Sequence, residues 1–385
     1  MRETIVLLAM GALTSGIALR MIEPMLPRLA ADFGTGVSAA STVITAFAIG
    51  YAIGQVIYGP LGDRFGKLRI ATLSLMGTAV ASIACAFAPD LGSLAAMRFV
   101  TAILGSASMT LGMAYIGDSV PLAERQVVVA RFINGTIIGQ ALGPVVGGAF
   151  TDLFGWRGTF VSLGLAFALV SVVLLVRTRA QWAAAVRPRS DINPYTALFR
   201  LFRKPRVRYV VSVSFLDAFF FFGAYAFLGA FLKMKFDLSL TTIGVILAGF
   251  GIGGVLYTLC VKRLLATLGQ RGLVTWGGVI CCGCFALSVL TPVWIIAMPC
   301  TIGLGFSFYM LHNTVQIKAT EMAPEARGAS ISSYASLWSL GQGAGVAFMG
   351  LVVGFADYAP AIIAFGVGFL ALGFWMRANL DKLSN

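Results

Sequence analysis

The sequence is short of charge. Of its 385 residues only 11% are charged, against about 25% in an ordinary soluble domain. It has one histidine, and no G-x-S-x-G, H-E-x-x-H or G-x-x-x-x-G-K-[ST] segment. Each shortage excludes a class. So little charge argues against water as the solvent of the fold. An intramembrane hydrolase needs a nucleophile with a base, or a metal set, and neither pattern is present. Without a phosphate-binding loop, nucleotide hydrolysis is not the source of energy. The six cysteines include the cluster Cys281, Cys282 and Cys284, whose spacing matches no metal-ligand pattern. They read as small residues suited to helix interfaces in lipid, so no cofactor and no metal are expected. Strict apolar–polar alternation, the mark of a membrane barrel, is missing as well.

What is there is apolar sequence in long runs. The chain is 58% hydrophobic with a mean hydropathy of +0.90. Runs of roughly 20 apolar residues, enough to cross a bilayer as a helix, fall at 4–27, 38–59, 69–88, 92–115, 127–150 and 157–176. Six more fall at 209–232, 239–261, 272–290, 293–316, 329–354 and 359–376. The first run is too long for a signal peptide and meets no clear cleavage site, so it reads as a retained span. The expected fold is an all-α polytopic membrane protein of about twelve transmembrane helices.

The net charge of +13 does not point to nucleic acid, because its distribution follows topology. With both termini placed inside, 22 Lys and Arg fall in inner loops and ends, and only Arg28, Arg157, Lys233 and Lys235 fall outside. This is the positive-inside pattern. It predicts a multi-pass protein of the cell (inner) membrane with both termini cytoplasmic. No nucleic-acid partner is expected.

The chain repeats itself. At an offset of 202, Gly139, Gln140, Gly143 and Gly148 match Gly341, Gln342, Gly345 and Gly350, and Arg125 matches Arg327. A weaker echo joins RFGKLR to TLGQRG, with Gly66 and Gly269 203 apart. The reading is two six-helix bundles, 1–176 and 209–385, related by pseudo-two-fold symmetry. A basic linker, 177–208, joins them, with a plain tether or an amphipathic helix on anionic lipid at 194–202 as alternatives. Repeats of this kind mark secondary transporters, with substrate bound between the repeats. Gly135, Gly139, Gly143 and Gly147 recur every fourth residue, a face on which membrane helices pack closely. Pro144 removes a backbone hydrogen bond there. A rocking joint between the bundles and a static packing helix both fit.

These motifs resemble the major facilitator superfamily, especially its twelve-span proton-coupled drug antiporters, over nearly the whole chain. The fifth-helix motif g-x-x-x-G-P-x-x-G-G is matched by Gly139, Gly143, Pro144, Gly147 and Gly148. The loop motif G-x-x-x-D-R-x-G-R/K-R/K is carried by Gly59, Asp63, Arg64, Gly66 and Lys67, with Leu68 in place of the last base. Pro24 and Pro27 match a first-helix pattern whose expected glycine is here Ala18. Arg98 stands in the fourth-helix motif, but Thr101 and Ala102 replace its usual glutamine and glycine. WRGTF and PEARG also fit. The resemblance implies that Asp63 faces the start of the eleventh helix near Arg327 to Ser330, with Arg64 and Asp118 completing a cytoplasmic latch. It also implies a cavity lined by helices one, four, seven and ten.

The charges inside the spans fall on those four helices. They are Arg20, Glu23, Arg98, Asp217 and His312, and each costs at least about 2.5–3.5 kcal/mol to insert. Gly16, Arg20, Glu23 and Pro27 form one helical stripe, and Gly305, Tyr309, His312 and Gln316 another. Arg20 and Glu23 can instead pair with each other. Candidate proton carriers are Asp217 first, then Glu23, with His312 and Arg98 assisting. Candidate substrate contacts are Arg20, Glu23, Arg98, Asp217, Phe221, Tyr225, Tyr309, His312, Asn313 and Gln316. The expected function is proton-coupled export of small organic or drug-like molecules by alternating access. The alternatives are a proton symporter importing a small metabolite or organic anion, and a sensor that binds without transport. The expected partners are a small-molecule substrate, protons and membrane lipid, and the working unit is a monomer.

Overall fold

In lipid every backbone N–H and C=O must be satisfied within the segment, which leaves the helix as the form for continuous apolar runs. The computed structural model describes residues 2–182, 201–323 and 327–384. Among them are ten helical segments long and apolar enough to cross a membrane, and no strand. Two of the ten, Val127–Gln181 and Leu240–Leu290, are broken at Gly155 (φ +72°) and Gly269 (φ +62°). Only glycine adopts that backbone without strain. Each break turns one segment into two spans, which makes twelve. They are α1 (Glu3–Asp32), α2 (Val37–Phe65), α3 (Lys67–Cys85), α4 (Leu91–Ser119), α5 (127–154) and α6 (156–181). The second set is α7 (Pro205–Phe236), α8 (240–268), α9 (270–290), α10 (Trp294–Glu321), α11 (Ser330–Val353) and α12 (Tyr358–Lys382).

The expected all-α fold with two six-helix bundles is the one observed. Several helices outrun their apolar cores: α6 continues to Gln181 and α12 to Lys382. Hydropathy ends at the edge of the hydrocarbon, whereas helical hydrogen bonding does not. α1 departs from a continuous helix at a 3-10 turn, Glu23–Met25, where Pro24 and Pro27 supply no N–H to the ladder. Residues 183–200 of the expected linker, including most of the expected amphipathic stretch, lie outside the described residues. At the end of α7, Asp237 closes the helix in the left-handed region (φ 49°). There Lys233 Nζ donates to it at 2.6 Å and holds its carboxyl below the usual carboxylate range.

The repeat is visible atom by atom. A Cβ built on Gly139 would strike the carbonyl of Leu13, and one on Gly341 the carbonyl of Phe215. Residues 13 and 215 differ by 202, as do 139 and 341. Gly143 likewise meets Ile17, and Gly345 meets Phe219. Between the bundles the same operation holds. Gly148 of α5 meets Leu240 of α8, and Gly350 of α11 meets Ser38 of α2. The expected rocking joint is displaced, however. The stripe Gly135, Gly139, Gly143 and Gly147 packs on α1 inside its own bundle, against Ala9, Leu13, Ile17 with Arg20, and Met21. The seam between bundles is carried by Ala141, Pro144 and Gly148, which approach Gly251, Gly244 and Leu240. Adjacent residues lie about 100° apart around a helix, so α5 offers one small-residue stripe to α1 and the neighbouring stripe to α8. Pro144 itself stays helical, since Gly155 alone in this segment has non-helical dihedrals.

Twelve crossings return both ends of the chain and the α6–α7 connection to one face, here the terminal face. At the opposite, far face the bundles are tied. Asp152 Oδ2 accepts from the Thr241 N–H at 2.7 Å and from its hydroxyl at 2.6 Å, and the Ser38 hydroxyl donates to the Gly350 carbonyl.

Gly139→Leu and Gly341→Leu should each lower stability by roughly 1–3 kcal/mol, the usual range for overpacking. Thermal melting of detergent-purified protein reads this. Gly59→Ala should melt like the parent, because nothing lies within 4 Å of a Cβ there.

Candidate functional site

Asp217 sits midway along α7, fully buried, with 0% of its surface exposed. A carboxylate there is affordable only with partners. His312 of α10 supplies one, with Nδ1 2.6 Å from Asp217 Oδ2. The Tyr334 hydroxyl of α11 lies 3.1 Å from His312 Nε2. Phe308 stacks on the imidazole at 4.7 Å and 18°. Asp217 Oδ1 has no hydrogen-bond partner among the described residues, and the Trp338 indole lies against the same carboxylate without meeting hydrogen-bond geometry. The partner of Asp217 thus comes from α10 and not from its own helix.

The first bundle brings a second pair to the seam. Arg20 Nη1 donates to Glu23 Oε1 at 2.9 Å, three residues along α1. Both side chains are nearly fully buried. The guanidinium lies 3.8 Å over the ring of Phe222, which belongs to α7 of the other bundle. Such a stacked cation contributes about 0.5–2 kcal/mol, most when desolvated. Among the described residues Arg20 Nε and Nη2 and Glu23 Oε2 have no hydrogen-bond partner. Phe222 packs edge-on against Trp338 at 5.3 Å, and Trp338 lies 5.7 Å from His312. A continuous run, Arg20–Phe222–Trp338–His312–Asp217, therefore joins the two buried pairs across the seam.

The remaining candidates scatter. Arg98 is turned into its own bundle. Its Nη2 donates to the Ala18 carbonyl at 2.9 Å, and its guanidinium covers Phe47 at 3.9 Å and faces Phe160. Phe221 is completely buried among Phe222, Phe250, Phe308 and Phe369, which makes it a packing residue. Phe222, one position on, faces the seam and meets Arg20. Tyr225 is buried and donates to the Leu247 carbonyl. Along α10, Tyr309 and Asn313 are half-buried and Gln316 is exposed. Gly16 and Gly305, at the heads of the two expected stripes, pack on the Thr136 and Phe250 carbonyls. Only part of each stripe can therefore be wet.

The loop cluster also differs from expectation. Lys67 is its centre, paired with Asp63 at 3.1 Å and with Asp118. Arg64 lies over Phe65 instead. The side chains of Arg327 and Ala329, near which Asp63 was expected to lie, are outside the described residues. Sequence reading missed Phe222, Tyr334 and Trp338. Tyr334, Trp338 and Gln342 follow each other by four on α11 and could have been found as a polar–aromatic stripe.

The Major Facilitator Superfamily sequence model matches residues 8–346. An uncharacterized MFS-type transporter, YceJ, of Bacillus subtilis (strain 168) is 26% identical over 376 residues, covering 94% of this chain and 90% of that protein. The efflux pump radE of Floropilus chiversii is 26% identical over 164 residues, 42% of this chain and 30% of its own length. Among solved structures, a bacterial homolog of the human lysosomal transporter Spinster, inward-facing and unoccupied, superposes with a TM-score of 0.71. It has 18% identity and covers all of this chain and 94% of the other. The nucleoside transporter NupG gives 0.77 at 14% identity, covering 97% and 99%.

Removing one partner of a buried pair leaves the other uncompensated, at a cost of about 3–5 kcal/mol. His312→Ala should therefore destabilise the fold more than Asp217→Asn does. The double variant should melt higher than the sum of the single effects predicts, with a coupling of roughly 0.5–3 kcal/mol. Additive losses in that thermal-melting cycle would mean that the two residues do not depend on each other.

Proposed function

The chain belongs to the Major Facilitator Superfamily, and from that premise we propose that it is a proton-coupled antiporter exporting small organic or drug-like molecules by alternating access. The observation that carries this reading is the Asp217–His312 pair. It is buried, it leaves one carboxylate oxygen without a partner, and an aromatic run connects it to Arg20 and Glu23 of the other bundle. An imidazole bonded to a carboxylate takes up or gives back a proton as a unit. A rearrangement at the seam changes the surroundings of both pairs, so proton loading and bundle position become linked. Asp217 is the proton carrier in this reading, His312 its partner, and Glu23 the group that answers on the first bundle. Export is favoured by the complete fifth-helix motif and by a relative named as an efflux pump.

The terminal face is taken as cytoplasmic, as the basic residues require, in the cell membrane. The ties at Asp152–Thr241 and Ser38–Gly350 then close the outer side, and the loop cluster around Lys67 belongs to the cytoplasmic gate. The two bundles, 1–176 and 209–385, are the moving bodies and 177–208 their linker. A second reading, symport of an organic anion, is favoured by the unpartnered Nε and Nη2 of Arg20.

Everted membrane vesicles energised to an acid interior, with a pH-sensitive dye, test the proposal. A panel of organic cations, anions, zwitterions and sugars should contain compounds that dissipate the gradient. Asp217→Asn should reduce that response to the level of vesicles lacking the protein. If compounds that bind the purified protein leave the gradient intact, antiport of those compounds is wrong. Accumulation of a labelled carboxylate in right-side-out vesicles with an acid exterior would mark symport instead.

A further inference from the structure

The echo of the loop motif in the second bundle, TLGQRG, is not used by the transport site. It turns the chain at Gly269 and places Arg271 in the first turn of α9. Beside it, where α9 and α12 diverge at the terminal face, lies a cleft of about 520 Å³ lined by Arg271, Phe374, Arg377 and Ala378. The divergence has a cause. Slightly deeper, the two helices are drawn together by glycines, with a Cβ on Gly373 only 2.6 Å from the Val274 carbonyl and one on Gly278 3.1 Å from Leu370.

The charges of the cleft are lopsided. Arg271 Nη2 donates to Asp381 Oδ2 at 2.9 Å, an exposed pair of the kind that contributes only about 0–1 kcal/mol. Its other N–H groups remain for a ligand. Arg377 has no ion pair among the described residues. The N-terminal turn of α9 adds a partial positive charge and free backbone N–H groups. Two guanidiniums against one carboxylate make a seat for a dianionic or monoanionic phosphate group. The apolar side of the cleft identifies the source of that phosphate. Phe374 lines the cleft and is 48% exposed, and Trp375 beside it in sequence and Trp276 on α9 are exposed as well. Aromatic rings at that depth are typical of the membrane interface, where a headgroup and the start of its acyl chains arrive together.

We propose that this cleft binds the phosphate of an anionic phospholipid from the leaflet at the terminal face, with Arg271 and Arg377 as its ligands. The site lies in the second bundle, away from the transport pairs, and ties α9 to α12 through the headgroup. It sits at the same face as the Lys67 cluster of the first bundle, on a different pair of helices. There Asp63 and Asp118 compensate a lysine from within the protein, and here a lipid completes what Asp381 begins.

Delipidated full-length protein in detergent, titrated with phosphatidylglycerol and followed by native mass spectrometry, tests this. One lipid should bind in preference to phosphatidylcholine. At about a fivefold affinity change per basic residue facing an anionic lipid, Arg271→Ala/Arg377→Ala should weaken binding roughly thirtyfold. Asp381→Ala, which frees Arg271, should strengthen it severalfold, and this variant decides the matter if the double variant does not fold. Equal binding of phosphatidylcholine, an unchanged affinity in the double variant, or unchanged or weaker binding by Asp381→Ala would each overturn the proposal. Competition by soluble glycerol 1-phosphate at the same concentration as the lipid would also overturn it, in favour of a water-soluble phosphate ester.

Discussion

Helices already in lipid gain nothing from hiding apolar surface from one another. What holds this protein together is the approach of glycine Cα atoms to carbonyl oxygens on neighbouring helices, because close backbone packing replaces the missing hydrophobic drive. Gly139 on Leu13 and Gly341 on Phe215 build the bundles, and Gly148 on Leu240 and Gly350 on Ser38 join them. The position of a buried charge follows from one of these contacts. Gly143 packs directly on the backbone that carries Arg20, so the fifth-helix motif sets the height and direction of the guanidinium.

The buried charges are then arranged so that no bundle is complete alone. The first bundle holds an arginine–glutamate pair and the second a histidine–aspartate pair. Neither satisfies all its polar atoms, and the contact between them is aromatic. A ring can slide under a guanidinium without breaking a directional bond. That makes Arg20 over Phe222 a joint that tolerates movement, in contrast to the fixed bonds at the far face between Asp152 and Thr241.

Most of the architecture was legible in the sequence, because lipid reduces the problem to counting apolar runs and basic loops. The repeat was legible for the same reason that it matters: Gly139 and Gly341 are irreplaceable by size, so their spacing persists in the letters. The pairing of Arg20 with Glu23 could be read because three residues on one helix fix the distance. The pairing of Asp217 with His312 could not, since it depends on the relative rotation of α7 and α10, which no local spacing encodes. The same blindness left Phe222 unnoticed beside Phe221. A run of four phenylalanines looks equally apolar all round, and only the packing partner decides which ring faces the seam. The setting of Arg98 was hidden for a different reason. A charge within a span is a signal of function, but no spacing tells that this one turns into the first bundle, toward the Ala18 carbonyl and the Phe47 ring, with its Nε and Nη1 left without a partner among the described residues.

The equivalence of the two seams has a mechanical meaning. Contacts exchanged by a two-fold operation carry equal and opposite loads in any motion that keeps the symmetry. Neither α5–α8 nor α2–α11 can serve as a fixed pivot while the other opens. The two seams must behave as matched bearings, and a chain that stiffened one of them alone would turn about a tilted axis.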